Sequence, residues 1–278
     1  MLPHQWFELF KKLIDRPEDE IDLARTALVI AADEYPELDV EAYIARLDAL
    51  AAEAAPRVNA ATGAHAKIQA LNKFLFEDSH FAPNDEYYFD PRNSYLNDVL
   101  NRRVGLPISL SLLYLEIGRR LGLPLQGVGL PGHFVVKWRD ENEEIFIDPF
   151  HEGRVFDEAG LTRLIEGLQR QRLQVQRDWL DGVGPRYILT RLLTNLKAIY
   201  LSSENYDRAL PVAEKLYLLE PRSEENLRDV AVLSFRGGFT QRARSLFEDY
   251  LLNHPHSTTS IHISIYLTSV FVIVDKGS

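Results

Sequence analysis

Two short apolar runs flank a charged cluster in the stretch PGHFVVKWRDENEEIFIDPF, residues 131–150. β-Branched and aromatic residues in runs of this length are typical of strands, and the polar run RDENEE predicts the loop of a hairpin. His133 stands at the start of the first predicted strand and Asp148 near the end of the second. If the hairpin turns within residues 139–144 through a loop of even length, the two side chains lie opposite or diagonal on one face.

A histidine that faces an aspartate is suited to act as a general base. The carboxylate fixes the imidazole tautomer and raises its basicity. Each residue also has a simpler interpretation, because a histidine at a strand start is usually structural, and Asp148 precedes a proline and therefore fits a turn. His133 and Asp148 are candidate catalytic residues, with structural roles as the alternative.

A helix is predicted before the hairpin, in the run ISLSLLYLEIGRRLG. Pro107 suits its first position, and Gly122 after two arginines suits its end. Ser109 and Ser111 lie near its beginning, where the partial positive charge of a helix N-terminus favours a developing anion. A serine here is also an ordinary helix-start residue, so capping or packing is its more frequent role.

Helical periodicity also precedes this region, and it predicts four helices within residues 4–78. The third is expected over about 40–53, ending at the AAPR that follows, and the fourth over about 61–76. Residues 79–107 are rich in Asn, Asp, Pro and Gly, which predicts loops.

Residues 186–257 are predicted to form helices that repeat every 34 residues. The recurring pairs are Ala198 and Val232, Ala209 and Ala243, Leu216 and Tyr250, and Pro221 and Pro255. Small residues and a terminal proline at this period are the pattern of tetratricopeptide repeats. Two units are fewer than a free-standing solenoid needs, so we expect them to pack on the preceding domain or on another helix.

The composition limits the classes of partner. The chain has 278 residues, of which 46% are hydrophobic, so it has enough apolar side chains for a folded core. Its net charge of -10 argues against nucleic acid and against an anionic membrane surface as partners. The N-terminus is not a signal peptide and the apolar runs are too short to span a bilayer, so we expect a cytoplasmic protein.

The composition also limits the chemistry. There is no cysteine, which excludes disulfides, thiolate metal sites and a cysteine nucleophile. No HExxH motif and no glycine-rich phosphate loop occur, so we expect neither a metal site nor a bound cofactor.

The order of the motifs resembles that of bacterial transglutaminase-like proteins of the SirB type. The motifs are NSYLNDVLNRRVGLPISLSLLYLEIGRRLGLP, GVGLPGHFVVKW, IFIDPF and the tetratricopeptide repeats, which together span roughly residues 35–257. The resemblance implies a papain-like α+β fold in which a cysteine begins a helix and a histidine and an aspartate follow on strands. His133 and Asp148 match the last two, whereas the position of the cysteine falls near Pro107 to Ser109.

The sequence therefore predicts an α+β, transglutaminase-like domain with N-terminal helices, followed by an all-α repeat segment. We assign residues 1–58 to the N-terminal helices, 59–182 to the α+β core, 186–257 to two repeats and 258–278 to an apolar tail to which the sequence assigns no role.

Two functions are compatible with this pattern. The first is a non-enzymatic or degenerate transglutaminase-like protein that binds a protein or peptide through its repeats. The alternative is a serine-dependent amidase or acyl-transfer enzyme that uses Ser109 (or Ser111), His133 and Asp148. A serine enzyme requires a hydroxyl within about 2.6–3.2 Å of a His133 ring nitrogen. We expect the first function, because the cysteine nucleophile is missing.

Overall fold

The computed structural model describes residues 3–169 and 176–253. Contacts within the chain divide it into two units, the first ending at Leu192 and the second beginning at Leu193.

Four helices open the first unit. They are α1 (Pro3–Ile14), α2 (Leu23–Ala31), α3 (Val40–Ala60) and α4 (Ala64–Asn72), and a π-helical segment, Lys73–Asp78, follows the last of them. Asp22 and Asp39 precede α2 and α3, and each carboxylate accepts a hydrogen bond from a backbone N–H of the first turn. These aspartates are N-caps, which explains where the two helices begin.

The third helix is longer than its sequence predicts. The expected end near residue 53 was wrong, since α3 continues through Pro56 to Ala60. A proline inside a helix removes one hydrogen bond and crowds the preceding turn. Ala54 and Val58 on either side are fully buried, so packing of this part of α3 against the core outweighs the local preference of Pro56.

The middle of the first unit combines two helices with two small pieces of strand. Its helices are α5 (Leu96–Arg102) and α6 (Pro107–Arg120), and β1 (Ala82–Pro83) pairs in parallel with β2 (Val104–Gly105). Every residue of α6 from Pro107 to Gly118 is buried, so the helix is enclosed on all sides. Gly118 allows close packing here, because a Cβ at this position would lie 2.2 Å from the Leu125 side chain.

An antiparallel sheet packs against α6. Its strands lie in chain order and are β3 (Leu125–Leu130), β4 (His133–Arg139), β5 (Glu144–Asp148) and β6 (Arg154–Phe156), with α7 (Glu158–Gln169) after them. In the hairpin of β4 and β5, Arg139 pairs with Glu144 and Val136 with Ile147. Continued by one residue, this register makes His133 and Asp148 diagonal neighbours on one face, as the predicted even-length loop requires.

The remaining helices are α8 (Pro185–Ser202), α9 (Tyr206–Leu219), α10 (Glu224–Arg236) and α11 (Thr240–Asn253). Positions 34 residues apart have the same environment here. Ala209 and Ala243 are fully buried, and Ala198 and Val232 are both exposed. The predicted α+β fold followed by a helical repeat segment is confirmed. Pro255 and the apolar tail, residues 258–278, lie outside the described residues.

Within the two described ranges, no helix is both long enough and apolar enough to cross a bilayer.

Candidate functional site

The structure brings His133 and Asp148 into direct contact. Nε2 of His133 lies 2.8 Å from Oδ2 of Asp148. The histidine begins β4 and the aspartate ends β5, and their side chains are 3% and 0% exposed. A buried pair at this distance is held in one geometry, because water does not compete for its hydrogen bond.

Asp148 also caps the turn that follows it. Its Oδ1 accepts hydrogen bonds from the backbone N–H groups of Phe150 and His151, at 3.0 and 3.3 Å. These bonds hold the 3-10 turn Pro149–His151 and fix the rotation of the carboxylate. Asp148 therefore has both of the roles that its sequence allowed. It caps the turn through Oδ1 and contacts His133 through Oδ2.

A second histidine, His151, shares the same carboxylate oxygen. Its Nδ1 lies 2.7 Å from Oδ2 of Asp148, and 47% of its side chain is exposed. The sequence analysis missed this residue. The available signal was its spacing in the run DPFH, because a residue three positions after an aspartate that caps a turn folds back over it.

The two histidines determine the protonation of Asp148. Burial raises the pKa of Asp148, but the hydrogen bonds and charges of His133 and His151 outweigh burial and hold the pKa below its ordinary value. No lysine or arginine pairs with this carboxylate in the described part of the chain. The nearest basic residue in sequence, Arg154, stacks over Phe156 instead, with Cζ 4.9 Å from the ring centroid.

A set of hydrogen bonds fixes the turn that carries His151. Glu152 and Gly153 have φ values of 55° and 75°, and the Gly153 N–H donates to the Asp148 carbonyl oxygen at 2.8 Å. Nδ2 of Asn72 donates to the Gly153 carbonyl oxygen at 2.7 Å, and the Tyr114 hydroxyl donates to Oδ1 of Asn72 at 2.9 Å. Helices α4 and α6 thus hold this turn in place.

Ser109 is buried at the start of α6, and its hydroxyl binds backbone groups. Oγ donates to the carbonyl oxygen of Asn93 at 2.6 Å and accepts from the Leu106 N–H at 2.9 Å. The second bond satisfies an N–H group at the helix N-terminus, as in a capping box. Among the described residues, the Ser109 hydroxyl makes no hydrogen bond with His133.

Ser111 is also buried, and it lies closer in the fold to the start of β4. Its Oγ is 3.3 Å from the carbonyl oxygen of Phe134, the residue after His133. Neither serine therefore has its hydroxyl hydrogen-bonded to the His133 ring.

Comparison with protein families identifies two segments of the chain. Residues 41–194 match the transglutaminase-like superfamily, and residues 196–267 match the tetratricopeptide repeat. The chain belongs to the transglutaminase-like superfamily. The predicted combination of a transglutaminase-like domain with tetratricopeptide repeats is confirmed, whereas the narrower SirB-type assignment stays a prediction.

Bacterial relatives of this superfamily member align over most of its length. A UPF0162 protein of Xylella fastidiosa is 34% identical over 250 residues, which cover 89% of each chain. A UPF0162 protein of Vibrio cholerae is 29% identical over 219 residues, covering 78% of this chain and 80% of the relative. F-box only protein 21 of Homo sapiens is 40% identical over 95 residues, which are 31% of this chain and 15% of that protein.

Proposed function

We propose that this transglutaminase-like protein is a non-enzymatic module of the SirB type, which binds a protein or peptide partner in the cytoplasm through its repeats. The observation that carries the proposal is the engagement of Ser109 with two backbone groups in a chain that has no cysteine. The histidine–aspartate pair then has no nucleophile to activate, which favours binding over catalysis.

The chemistry of the missing nucleophile supports this proposal. A serine hydroxyl becomes nucleophilic only when an adjacent base removes its proton, whereas a cysteine is partly ionised by itself. The Ser109 proton points to the Asn93 carbonyl oxygen at 2.6 Å, and its oxygen already accepts the Leu106 N–H. Turning this hydroxyl towards His133 would break both bonds. The two backbone groups would keep only the 3.4 Å bond from the Leu106 N–H to the Asn93 carbonyl oxygen, and each lost bond costs about 0.5–1.5 kcal/mol.

The repeats supply a surface for a partner. Ala198 in α8 and Val232 in α10 are equivalent by the 34-residue period, and both are exposed. Lys197 fixes these two helices to one another through Asp229, with Nζ 2.5 Å from its Oδ2. Equivalent exposed positions on successive repeats line one continuous surface, which is the surface that such proteins use for binding.

An affinity purification of the tagged full chain from its native host, with partners quantified by mass spectrometry, tests the proposal. The informative variant carries Ala198→Arg and Val232→Arg, which place two bulky charges on the proposed surface. Leu252→Arg is the matched control, because it adds the same side chain at a residue that is 78% exposed near the end of α11. We expect a partner whose recovery falls more than tenfold in the double variant and is unchanged in Leu252→Arg and His133→Ala.

Two results would overturn this proposal. One is a partner whose recovery depends on His133 and not on Ala198 or Val232. The other is the absence of any protein that is recovered above the level of the double variant.

The contact between His133 and Asp148 favours one second candidate, the serine-dependent amidase or acyl-transfer enzyme. It requires Ser109 or Ser111 to rotate out of the hydrogen bonds described above. Labelling with a fluorophosphonate probe separates the two functions. Labelling that disappears in one serine variant and in His133→Ala would replace the binding proposal, and we expect no labelling of the folded protein.

A further inference from the structure

We propose that His133, Asp148 and His151 form a binding site for a single divalent transition-metal ion of the zinc type. Each residue offers one ligand atom, and the three atoms lie within 4.8 Å of one another. The donors are two imidazole nitrogens and one carboxylate oxygen, a set that occurs in zinc and in non-haem iron proteins. This site goes beyond the proposed binding function and does not depend on it.

The distances are close to those that an ion would impose. Zinc lies about 2.0–2.2 Å from nitrogen and oxygen ligands, so two ligands of one ion are about 3.0–3.5 Å apart in tetrahedral or octahedral geometry. Oδ2 of Asp148 is 2.8 Å from Nε2 of His133 and 2.7 Å from Nδ1 of His151. These two separations are a few tenths of an ångström shorter than an ion would impose, and the two ring nitrogens lie within 4.8 Å of one another.

The charge of the site also suits a cation. Asp148 is completely buried, and its ion-pair partners in the described ranges are the two histidines. A buried carboxylate needs a compensating cation or strong hydrogen bonds. With an ion bound between these ring nitrogens and Oδ2, each imidazole would stay neutral by carrying its proton on the opposite ring nitrogen.

The hydrogen bonds that orient Asp148 and the exposure of His151 both suit an ion with open coordination positions. Oδ1 of Asp148 is held by backbone N–H groups, which leaves Oδ2 directed at the two rings. Such bonds to a ligating carboxylate orient it and tune its affinity. His151 is 47% exposed, so the ion has an entry path and room for water as a further ligand.

The donor set also selects the class of ion. Imidazole nitrogens suit zinc, cobalt, nickel and iron, whereas magnesium and calcium prefer sites made of oxygen ligands. Ions that require thiolates are excluded, because the chain has no cysteine.

The test is a titration of the chelator-treated full chain with Co²⁺, followed by visible absorption, and with Zn²⁺, followed by calorimetry. We expect one ion per chain in the wild type. His151→Ala removes a half-exposed ligand and should weaken binding more than about tenfold, the scale on which even indirect changes at metal sites act. Asp148→Asn should weaken it similarly, with near-ultraviolet circular dichroism as the check that this variant folds.

Two histidine controls make the result specific. His65→Ala removes a side chain that is 65% exposed, and a double variant of His254 and His256 removes the closely spaced histidines on either side of Pro255. Both should bind one ion with unchanged affinity. The proposal fails if the wild type binds no ion, if His151→Ala binds as tightly as the wild type, or if binding is lost only in the His254 and His256 variant.

Discussion

Gly153→Ala tests how rigidly the turn after Asp148 is held. Gly153 has a φ of 75°, where an L-residue is strained, and a Cβ at this position would lie 2.2 Å from Cγ of Asn72. Asn72 cannot move aside freely, because it donates to the Gly153 carbonyl oxygen and accepts from the buried Tyr114 hydroxyl. The substitution therefore strains the backbone and also displaces a fixed side chain.

The cost is the sum of these two effects. A left-handed conformation costs a residue with a Cβ about 1–2 kcal/mol. Loss of the hydrogen bond from Asn72 to Gly153 costs about 0.5–1.5 kcal/mol more. We expect Gly153→Ala to lower the free energy of unfolding by about 1.5–3.5 kcal/mol. Gly122→Ala is the matched control, since Gly122 has a φ of 68° with nothing within 4 Å of its Cβ position, so it measures the backbone strain alone.

Urea unfolding of both variants, followed by tryptophan fluorescence, gives the comparison. Trp138 lies in β4, one of the two strands of the hairpin that carries the site, and reports on the unfolding of this region. If Gly153→Ala costs no more than Gly122→Ala, the contact with Asn72 does not constrain the turn, and the account of how α4 and α6 hold His151 is wrong.

Two further predictions concern other buried polar groups. Ser109→Ala removes two hydrogen bonds and leaves the Leu106 N–H and the Asn93 carbonyl oxygen with only the 3.4 Å bond between them, so we expect the free energy of unfolding in urea to fall by about 1–3 kcal/mol. The second concerns Asp98, where burial raises the pKa and outweighs the hydrogen bond from Tyr35. Above the ordinary aspartate pKa of about 3.9, the folded state keeps this proton longer than the unfolded state does. As the pH rises from about 3.9 to the raised pKa of Asp98 in the folded state, the free energy of unfolding of the wild type should therefore fall relative to that of Asp98→Asn.

Each of these predictions has a control. Ser111→Ala removes a single bond of 3.3 Å and should cost less than Ser109→Ala, and an equal cost would contradict the capping role of Ser109. Tyr35→Phe removes a hydrogen bond that lowers the pKa of Asp98, so it should shift the pH-dependent interval upward. A stability difference between wild type and Asp98→Asn that is independent of pH would refute the raised pKa.

The sequence alone determined most of the architecture, because strands, helix starts and repeats depend on local patterns. The two runs of β-branched and aromatic residues around the polar RDENEE predicted the hairpin that β4 and β5 form, and Pro107 predicted the start of α6. The 34-residue period predicted which helical positions share an environment, as Ala209 and Ala243 do. Even the diagonal placement of His133 and Asp148 follows from the length of one loop.

Only the tertiary structure decided what surrounds that pair. The local sequence pattern predicted that α3 ends before Pro56. The helix continues to Ala60 because Ala54 and Val58 are buried in the core. The sequence predicted that Ser109 lies near the start of a helix. It gave no indication that the hydroxyl donates to the carbonyl oxygen of Asn93, 16 residues away in the chain. His151 joins the site through a turn held by Asn72, which lies 81 residues before Gly153. Such contacts depend on how separate elements pack, and periodicity within one element carries no information about the groups that approach it from another.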